Sequence, residues 1–375
     1  MNTKGALKSI GVQGTEGSWN RQTRGLHHVG ATLERMVTRP KLLLLTAVFT
    51  SLVISLFSSK INPYHLDIVI GIGISIILAV SLNLINGYTG QFSLGHAGFM
   101  AVGGYAAAII TIHAQPLLAN MSHPAVATHA LFLGALMAGG LAAALAGLVV
   151  GAPSLRLKGD YLAIVTLGFG EIIRVILQNT EAVGAARGLT GVPFYTTFFW
   201  TFSVAALTVY FVVSLVNSSY GRGFLAVRDD EIAAEAIGIN TTRYKVTAFV
   251  IGAFFAGIAG GLYGHFKQYL NPDGFGFLFS IDIVVMVILG GMGNTAGVVA
   301  AAILLTLLPE ALRVAAGWNI PLPFTSEHLS LQWIAKTRMI IYALMLILIM
   351  QLRPQGLFAR REFRPIRPVL PKPAP

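Results

Sequence analysis

The sequence predicts an all-α membrane protein: a polytopic bundle of about ten transmembrane helices with broken or half-length glycine-rich segments. Hydrophobic residues make up 55% of the 375-residue chain and charged residues only 11%, whereas soluble domains carry about 25% charged residues. The mean hydropathy is +0.71. Long apolar stretches recur between short polar ones, and a glycine-rich segment separates the two members of two neighbouring pairs.

Ten apolar segments account for the predicted spans. They cover residues 42–57, 68–84, 97–112, 130–150, 161–177, 198–216, 246–263, 281–289, 298–312 and 339–352. A helix needs about 20 apolar residues to cross a bilayer, so several segments span only with their flanking residues. Segment 281–289 is too short and runs into the glycine-rich residues 290–297. This pattern predicts a half-length helix whose irregular end is covered by protein or water.

Charge orients the bundle and divides the chain. Most of the 26 Lys and Arg residues lie in the two tails and in the loops near Arg156 and Arg228. Ten crossings put both termini on one side, and the positive-inside rule makes that side the cytoplasm. The loops near Asn120, Arg187 and Asn271 are then outside. We therefore expect a multi-pass protein of the plasma (inner) membrane.

Three parts follow from this division. Residues 1–40 form a basic tail that we expect to be disordered and that lacks the apolar core of a cleavable signal peptide. Residues 41–353 form the transmembrane domain, with a polar cytoplasmic loop at 217–245, and residues 354–375 form a Pro-rich basic tail. The net charge of +11 is concentrated in the tails, so it does not predict nucleic-acid binding. The chain has no cysteine, which excludes disulfides and thiolate metal sites.

The cytoplasmic loop carries the signals of a short helix. Asp229 and Asp230 suit an N-cap and the positive end of a helix dipole. Gly238 is expected to end the helix in the left-handed conformation, and Asn240 to cap the next helix.

This helix is amphipathic. One face carries Ile232, Ala233, Ala236 and Ile237, and the other carries Glu231 and Glu235. Such a helix either lies on lipid or docks into a groove of a partner. Its apolar face has no Trp or Phe and its polar face is acidic, which disfavours an anionic leaflet and favours docking.

Two glycine-rich segments, residues 86–98 and 290–297, occupy similar places in the two halves of the chain. Matching interruptions indicate a translocation pathway. Close helix packing through small residues, as expected at Gly257 and Gly261, is the alternative. The polar candidates for the pathway are Gln91, Ser93, His96 and Asn294.

Glu171 and Arg174 are opposite charges within one predicted span and share a helix face at a spacing of three. Either they line the pathway as a polar gate, or they form a structural ion pair; both interpretations stay open. Asp282 is expected to cap a span end. No cluster has metal-ligand spacing, and no nucleophile, base and acid set is visible, so an enzyme is not expected.

Five motifs in order resemble the LivM-like permease subunits of ABC-type branched-chain amino acid importers. They are LNLINGYTGQFSLGHAGFMAVGGYAA at 82–107, GDYLAIVTLGFGEIIR at 159–174, the loop and following helix at 221–264, VVMVILGGMGNTAGVVAAA at 284–302 and LRPQGLF at 352–358. The resemblance covers roughly residues 42–358. The tail before the first span is longer than expected for the family.

The resemblance implies a set of partners. A LivH-like second permease subunit would complete the pore, two cytoplasmic ATPase subunits would drive it, and a periplasmic or lipid-anchored binding protein would deliver the amino acid. The family's ATPase-contacting helix corresponds to residues 229–238. Ala233, Ala236, Ile237 and Gly238 would form the docking surface, and Arg228, Asp229, Asp230 and Glu235 would make polar contacts around it.

The chain has no G-x-x-x-x-G-K-[S/T] motif, so we expect it to bind no cofactor itself and ATP to be used by the partner subunits. Membrane lipid is a further expected partner, and nucleic acid is not. The same importer class also serves urea and short amides. An ion-coupled secondary transporter is the main alternative from another class; it would need mid-membrane carboxylates, and only Glu171 qualifies. A channel lacks a filter motif.

Overall fold

A computed structural model describes residues 40–57, 62–118, 124–154, 159–316, 319–321 and 328–330, together with scattered positions between 340 and 357. The predicted tails therefore lie outside the described residues, apart from Pro40, Gly356 and Leu357. The loops near Asn120 and Arg156 also lie outside them.

The described chain is a bundle of helices, which confirms the predicted fold class. The helices are α1 (Pro40–Phe57), α2 (Pro63–Asn86), α3 (His96–Leu118), α4 (Pro124–Ser154), α5 (Asp160–Asn179), α6 (Phe198–Val216), α7 (Ser219–Asp229), α8 (Glu231–Ala236), α9 (Thr241–Lys267), α10 (Phe277–Gly290) and α11 (Thr295–Ala316). Short 3-10 turns span Glu181–Val183, Ala185–Arg187 and Pro272–Phe275. A small antiparallel hairpin pairs β1 (Asn319–Pro321) with β2 (His328–Ser330), with Ile320 opposite Leu329.

Eight helices in the described part of the chain are long and apolar enough to cross a membrane: α2 to α6, α9, α10 with the turn before it, and α11. Helix α1 is apolar over a shorter stretch, Leu44–Leu56. The described positions of the tenth predicted segment, such as Ile340 and Leu348, are helical.

The centre of the bundle is α2 together with the closely packed helices α3, α4 and α9. Glycines allow the close approach: a Cβ at Gly257 of α9 would lie 2.8 Å from the Gly139 carbonyl oxygen of α4, and a Cβ at Gly261 would lie 2.7 Å from a Leu136 methyl. The expected packing role of Gly257 and Gly261 is therefore confirmed.

Helix α10 alone is shorter than a full span, although the turn before it extends the apolar stretch to the 19 residues Pro272–Gly290. Its 14 residues rise about 21 Å at 1.5 Å per residue, against a hydrocarbon core of about 30 Å. The helix ends where Gly291 and Gly293 take positive φ angles of 91° and 80°, which side chains with a Cβ disfavour. Helix α11 then starts at Thr295.

Candidate functional site: the α7–α8 segment and the glycine junction

The polar loop folds as two helices, α7 and α8, where the sequence predicts one. Asp229 ends α7, and the extended backbone of Asp230 (φ −158°, ψ 111°) turns the chain into α8. The Asp230 carboxylate accepts hydrogen bonds from the backbone N–H groups of Ile232 (2.9 Å) and Ala233 (3.0 Å). Asp230 is therefore the N-cap, and Asp229 belongs to the preceding helix.

The end of α8 matches its predicted glycine stop. Gly238 has a φ of +86°, its N–H donates to the Glu235 carbonyl, and the Ile239 N–H donates to the Ala234 carbonyl. This pair of bonds is a Schellman motif. Asn240 then caps α9 by accepting a hydrogen bond from the Arg243 N–H at 2.9 Å.

Ala234 is the buried residue of α8, and both glutamates of the helix are tied to α9. Glu231 pairs with Lys245 at 2.6 Å, and the Lys245 side chain is only 8% exposed. Glu235, expected to contact a partner, accepts a hydrogen bond from the Thr241 hydroxyl at 2.6 Å. These two links to α9 fix the rotation of α8 about its axis.

The apolar face of α8 consequently points outward. Ile232 is 73% exposed and Ile237 is 77% exposed, and Ala233 and Ala236 are exposed beside them. We call these four residues the exposed patch. Burial of one isoleucine side chain contributes about 1.5–3 kcal/mol. The isolated chain does not gain this free energy at Ile232 or Ile237, but a partner that covers them would.

The two glycine-rich segments, distant in sequence, meet in the fold. The Asn83 side-chain oxygen accepts a hydrogen bond from the Gly293 N–H at 2.9 Å, and the hydroxyls of Tyr88 and Thr295 lie 2.8 Å apart. A Cβ at Gly87 would overlap the backbone nitrogen of Gly293. We call these five residues the glycine junction.

Arg228, at the end of α7, lies against both segments. A Cβ at Gly90 would be 3.2 Å from Arg228 Cγ, and a Cβ at Gly293 would be 3.1 Å from Arg228 Nη1. The guanidinium also pairs with Asp229 at 2.8 Å. Leu357, near the C-terminus, lies beside the end of α10, because its N–H donates to the Leu289 carbonyl at 2.7 Å.

The pathway candidates in the first glycine-rich segment are deeply buried: Gln91 is 4% exposed, and Ser93 and His96 are 0% exposed. Within the described residues, both polar atoms of the Gln91 amide, Ser93 Oγ and His96 Nδ1 have no hydrogen-bond partner. His96 Nε2 lies 2.9 Å from the Ser81 hydroxyl. Their part in a pathway stays a prediction.

Asn294, the candidate from the second segment, stands at the start of α11. Its side-chain oxygen accepts a hydrogen bond from the Gly297 N–H at 3.3 Å. This contact is that of a helix cap, which explains the residue type locally.

Glu171 and Arg174 form the predicted ion pair, 2.7 Å apart. Arg174 also pairs with Asp273 at 3.0 Å, and Glu171 accepts a hydrogen bond from the Phe277 N–H at 3.1 Å. The pair therefore ties α5 to the start of α10. These residues and Asp282 line an open cleft of about 520 Å³. Asp282 lies inside α10, so the prediction that it caps a span end is wrong.

No group of three His, Cys, Asp or Glu side chains in the described part of the chain could hold a metal ion. The span-length helices of the described residues define an α-helical, polytopic membrane protein. The sequence profile described as "branched-chain amino acid transport system, permease component" matches residues 64–350. The chain belongs to that family, which confirms the resemblance carried by the five motifs.

Individual relatives agree. The high-affinity branched-chain amino acid transport system permease proteins LivM of Salmonella typhimurium and Escherichia coli are each 36% identical over 275 residues, 64% of this chain and 61% of theirs. The chain thus matches about three fifths of the length of these two relatives. A probable LivM of Methanocaldococcus jannaschii is 26% identical over 334 residues, 78% of this chain and 93% of its own. LivH of E. coli is 30% identical over 160 residues, 43% of this chain and 45% of its own. No solved structure matches.

Proposed function

We propose that this chain is the membrane-spanning permease subunit of an ATP-driven importer of branched-chain amino acids. Leu, Ile or Val would be delivered by a periplasmic or lipid-anchored binding protein. A LivH-like permease subunit would complete the pore, and two separate ATPase subunits would supply the energy. The protein would lie in the inner membrane, with both termini and the α7–α8 segment in the cytoplasm.

The exposed patch is the observation that carries this proposal. Links from Glu231 to Lys245 and from Glu235 to Thr241 tie the acidic face of α8 to α9. The outward face of Ile232 and Ile237 therefore suits a protein groove better than water. The sequence has no P-loop motif, so the hydrolysing site is assigned to the protein that docks there.

The binding partner is tested by one substitution in the patch. Ile237→Glu replaces an apolar side chain, whose burial in the complex would contribute about 1.5–3 kcal/mol, with a charged one. A loss of about 1.4 kcal/mol corresponds to a tenfold lower affinity. We expect co-purification of the ATPase with the permease to fall at least tenfold. Ile237→Leu, which keeps size and polarity, is the matched control and should co-purify like the parent chain. Unchanged co-purification of Ile237→Glu would place the ATPase elsewhere.

The transport class is tested by reconstitution. The chain alone in liposomes should neither hydrolyse ATP nor take up leucine, and uptake should require the second permease, the ATPase and the binding protein together. Uptake by the isolated chain driven by an ion gradient would instead establish the secondary transporter. Binding of Leu, Ile and Val, but not of urea or acetamide, to the partner binding protein would identify the substrate class.

A further inference from the structure

Arg228 lies between the exposed patch and the transmembrane helices. It stands two residues before Asp230, the N-cap of α8, and its side chain runs across the glycine-rich segments. The aliphatic stem lies over Gly90, and the guanidinium lies over Gly293. Contact with both segments distinguishes it from Arg222, which lies exposed on the same helix and bonds Ser219.

The helix that carries Arg228 is fixed to the start of α9. Phe224 of α7 is fully buried and packs edge-to-face on Tyr244, with ring centroids 5.6 Å apart. A Cβ at Gly223 would overlap the same tyrosine ring. Helix α8 is tied to α9 as well, through Lys245. A force on α8 therefore acts on α7, α8 and the start of α9 together, and Arg228 moves with them.

The glycine-rich segments lead into two different helices. Residues near Gly90 lead into α3, and Gly293 leads into α11. Gly90 and Gly293 have no side chain and hold positive φ angles of 69° and 80°, so Arg228 lies in the space that a side chain at either position would enter. The hydroxyls of Tyr88 and Thr295, 2.8 Å apart, join the two segments, and the hydrogen bond from Gly293 to Asn83 joins the second segment to the end of α2. Displacement of one side chain can thus move the starts of two helices at once.

We propose that Arg228 is a positioning residue that transmits movement of the docked α8 to the glycine junction. This inference rests on the proposed function. It differs from the sequence-based interpretation, in which Arg228 contacts the ATPase, because Arg228 acts here on its own chain.

The test separates coupling from docking in the complete transporter reconstituted with its partners. We expect Arg228→Ala to co-purify with the ATPase at the parent level, whereas substrate-stimulated ATP hydrolysis is lost and leucine uptake falls at least tenfold. Arg228→Lys keeps the stem over Gly90 and a positive charge, so it should recover a substantial part of the uptake. Arg222→Ala is the matched control and should behave like the parent.

Two results would overturn the inference. If Arg228→Ala loses the ATPase, the residue is a docking contact; if it retains full uptake, it transmits nothing. Should Arg228→Ala fail to accumulate in the membrane, Arg228→Met retains the stem and removes only the charged group over Gly293, and the same readouts apply to it. Failure of the proposed function is distinguishable, since the parent transporter itself would then show no partner-dependent uptake.

Discussion

The packing of α9 gives a sharp prediction about stability, at Gly257. A Cβ added there would overlap Ala143 Cβ and would lie 2.8 Å from the Gly139 carbonyl oxygen and 3.2 Å from Gly140 Cα, all on α4. The φ angle of Gly257 is not positive, so alanine fits the backbone conformation. The backbone conformation at Gly257 therefore does not oppose the substitution.

The magnitude follows from two opposing contributions. Alanine is favoured over glycine in a helix interior by about 1 kcal/mol, while overpacking a tight interface costs about 1–3 kcal/mol. Because two of the three neighbours are backbone atoms of α4, they cannot move aside by changing rotamer. We expect the upper end of that range and a net destabilisation of about 1–2 kcal/mol.

Gly134→Ala is the matched control. Gly134 lies in α4, and a Cβ there would meet nothing within 4 Å, so only the helix preference acts and the variant should be as stable as the parent or more so. Thermal unfolding of the purified chain in detergent, followed by fluorescence-detected size exclusion, measures both. Equal midpoints for Gly257→Ala and the parent would refute the steric argument, as would an equal loss for both variants.

Three further outcomes are expected. Asp230→Ala removes the acceptor for two backbone N–H groups of α8, which costs about 1 kcal/mol of helix stability. Amide hydrogen exchange at Ile232 should become faster while exchange in the spans stays the same. Unchanged exchange at Ile232 would contradict the assignment of Asp230 as the cap. Gly238→Leu has room for its side chain, but the φ of +86° strains the backbone by about 1 kcal/mol. The variant should therefore fold and insert, but ATP hydrolysis should no longer be coupled to transport. Full coupling would count against α8 as the docking helix. In intact cells, an impermeant thiol reagent should label Gly274→Cys but not Ala236→Cys, and the reverse pattern would invert the proposed topology.

Local features of this protein could be predicted from sequence because they depend on nearby residues. Asp230, Gly238 and Asn240 act as caps and a stop through bonds that span two to five residues. The end of α10 follows from an apolar run that stops at glycines. Both kinds of signal depend on spacing along one segment, so no knowledge of the tertiary contacts is needed.

Features that depend on contacts between segments could not be predicted in this way. The hydrogen bond between Gly293 and Asn83 joins positions 210 residues apart, and no periodicity encodes it. The sequence separates the two faces of α8 correctly but does not show that Glu231 pairs with Lys245 of α9. Asp282 resembles a cap because the apolar run starts at Ile281 in the sequence, whereas the structure begins α10 at Phe277, after the turn Pro272–Phe275.

The two glycine-rich segments now call for different explanations. In the second, Asn294 caps α11 and Gly293 makes a close backbone contact, so packing and capping explain the residue types. In the first, the Gln91 amide and Ser93 Oγ are buried without a partner among the described residues. An unsatisfied buried polar group costs about 1–3 kcal/mol, and apolar side chains would serve packing better. The polar residue types therefore favour the pathway interpretation at Gln91 and Ser93, beside the junction that Arg228 contacts, over the packing interpretation.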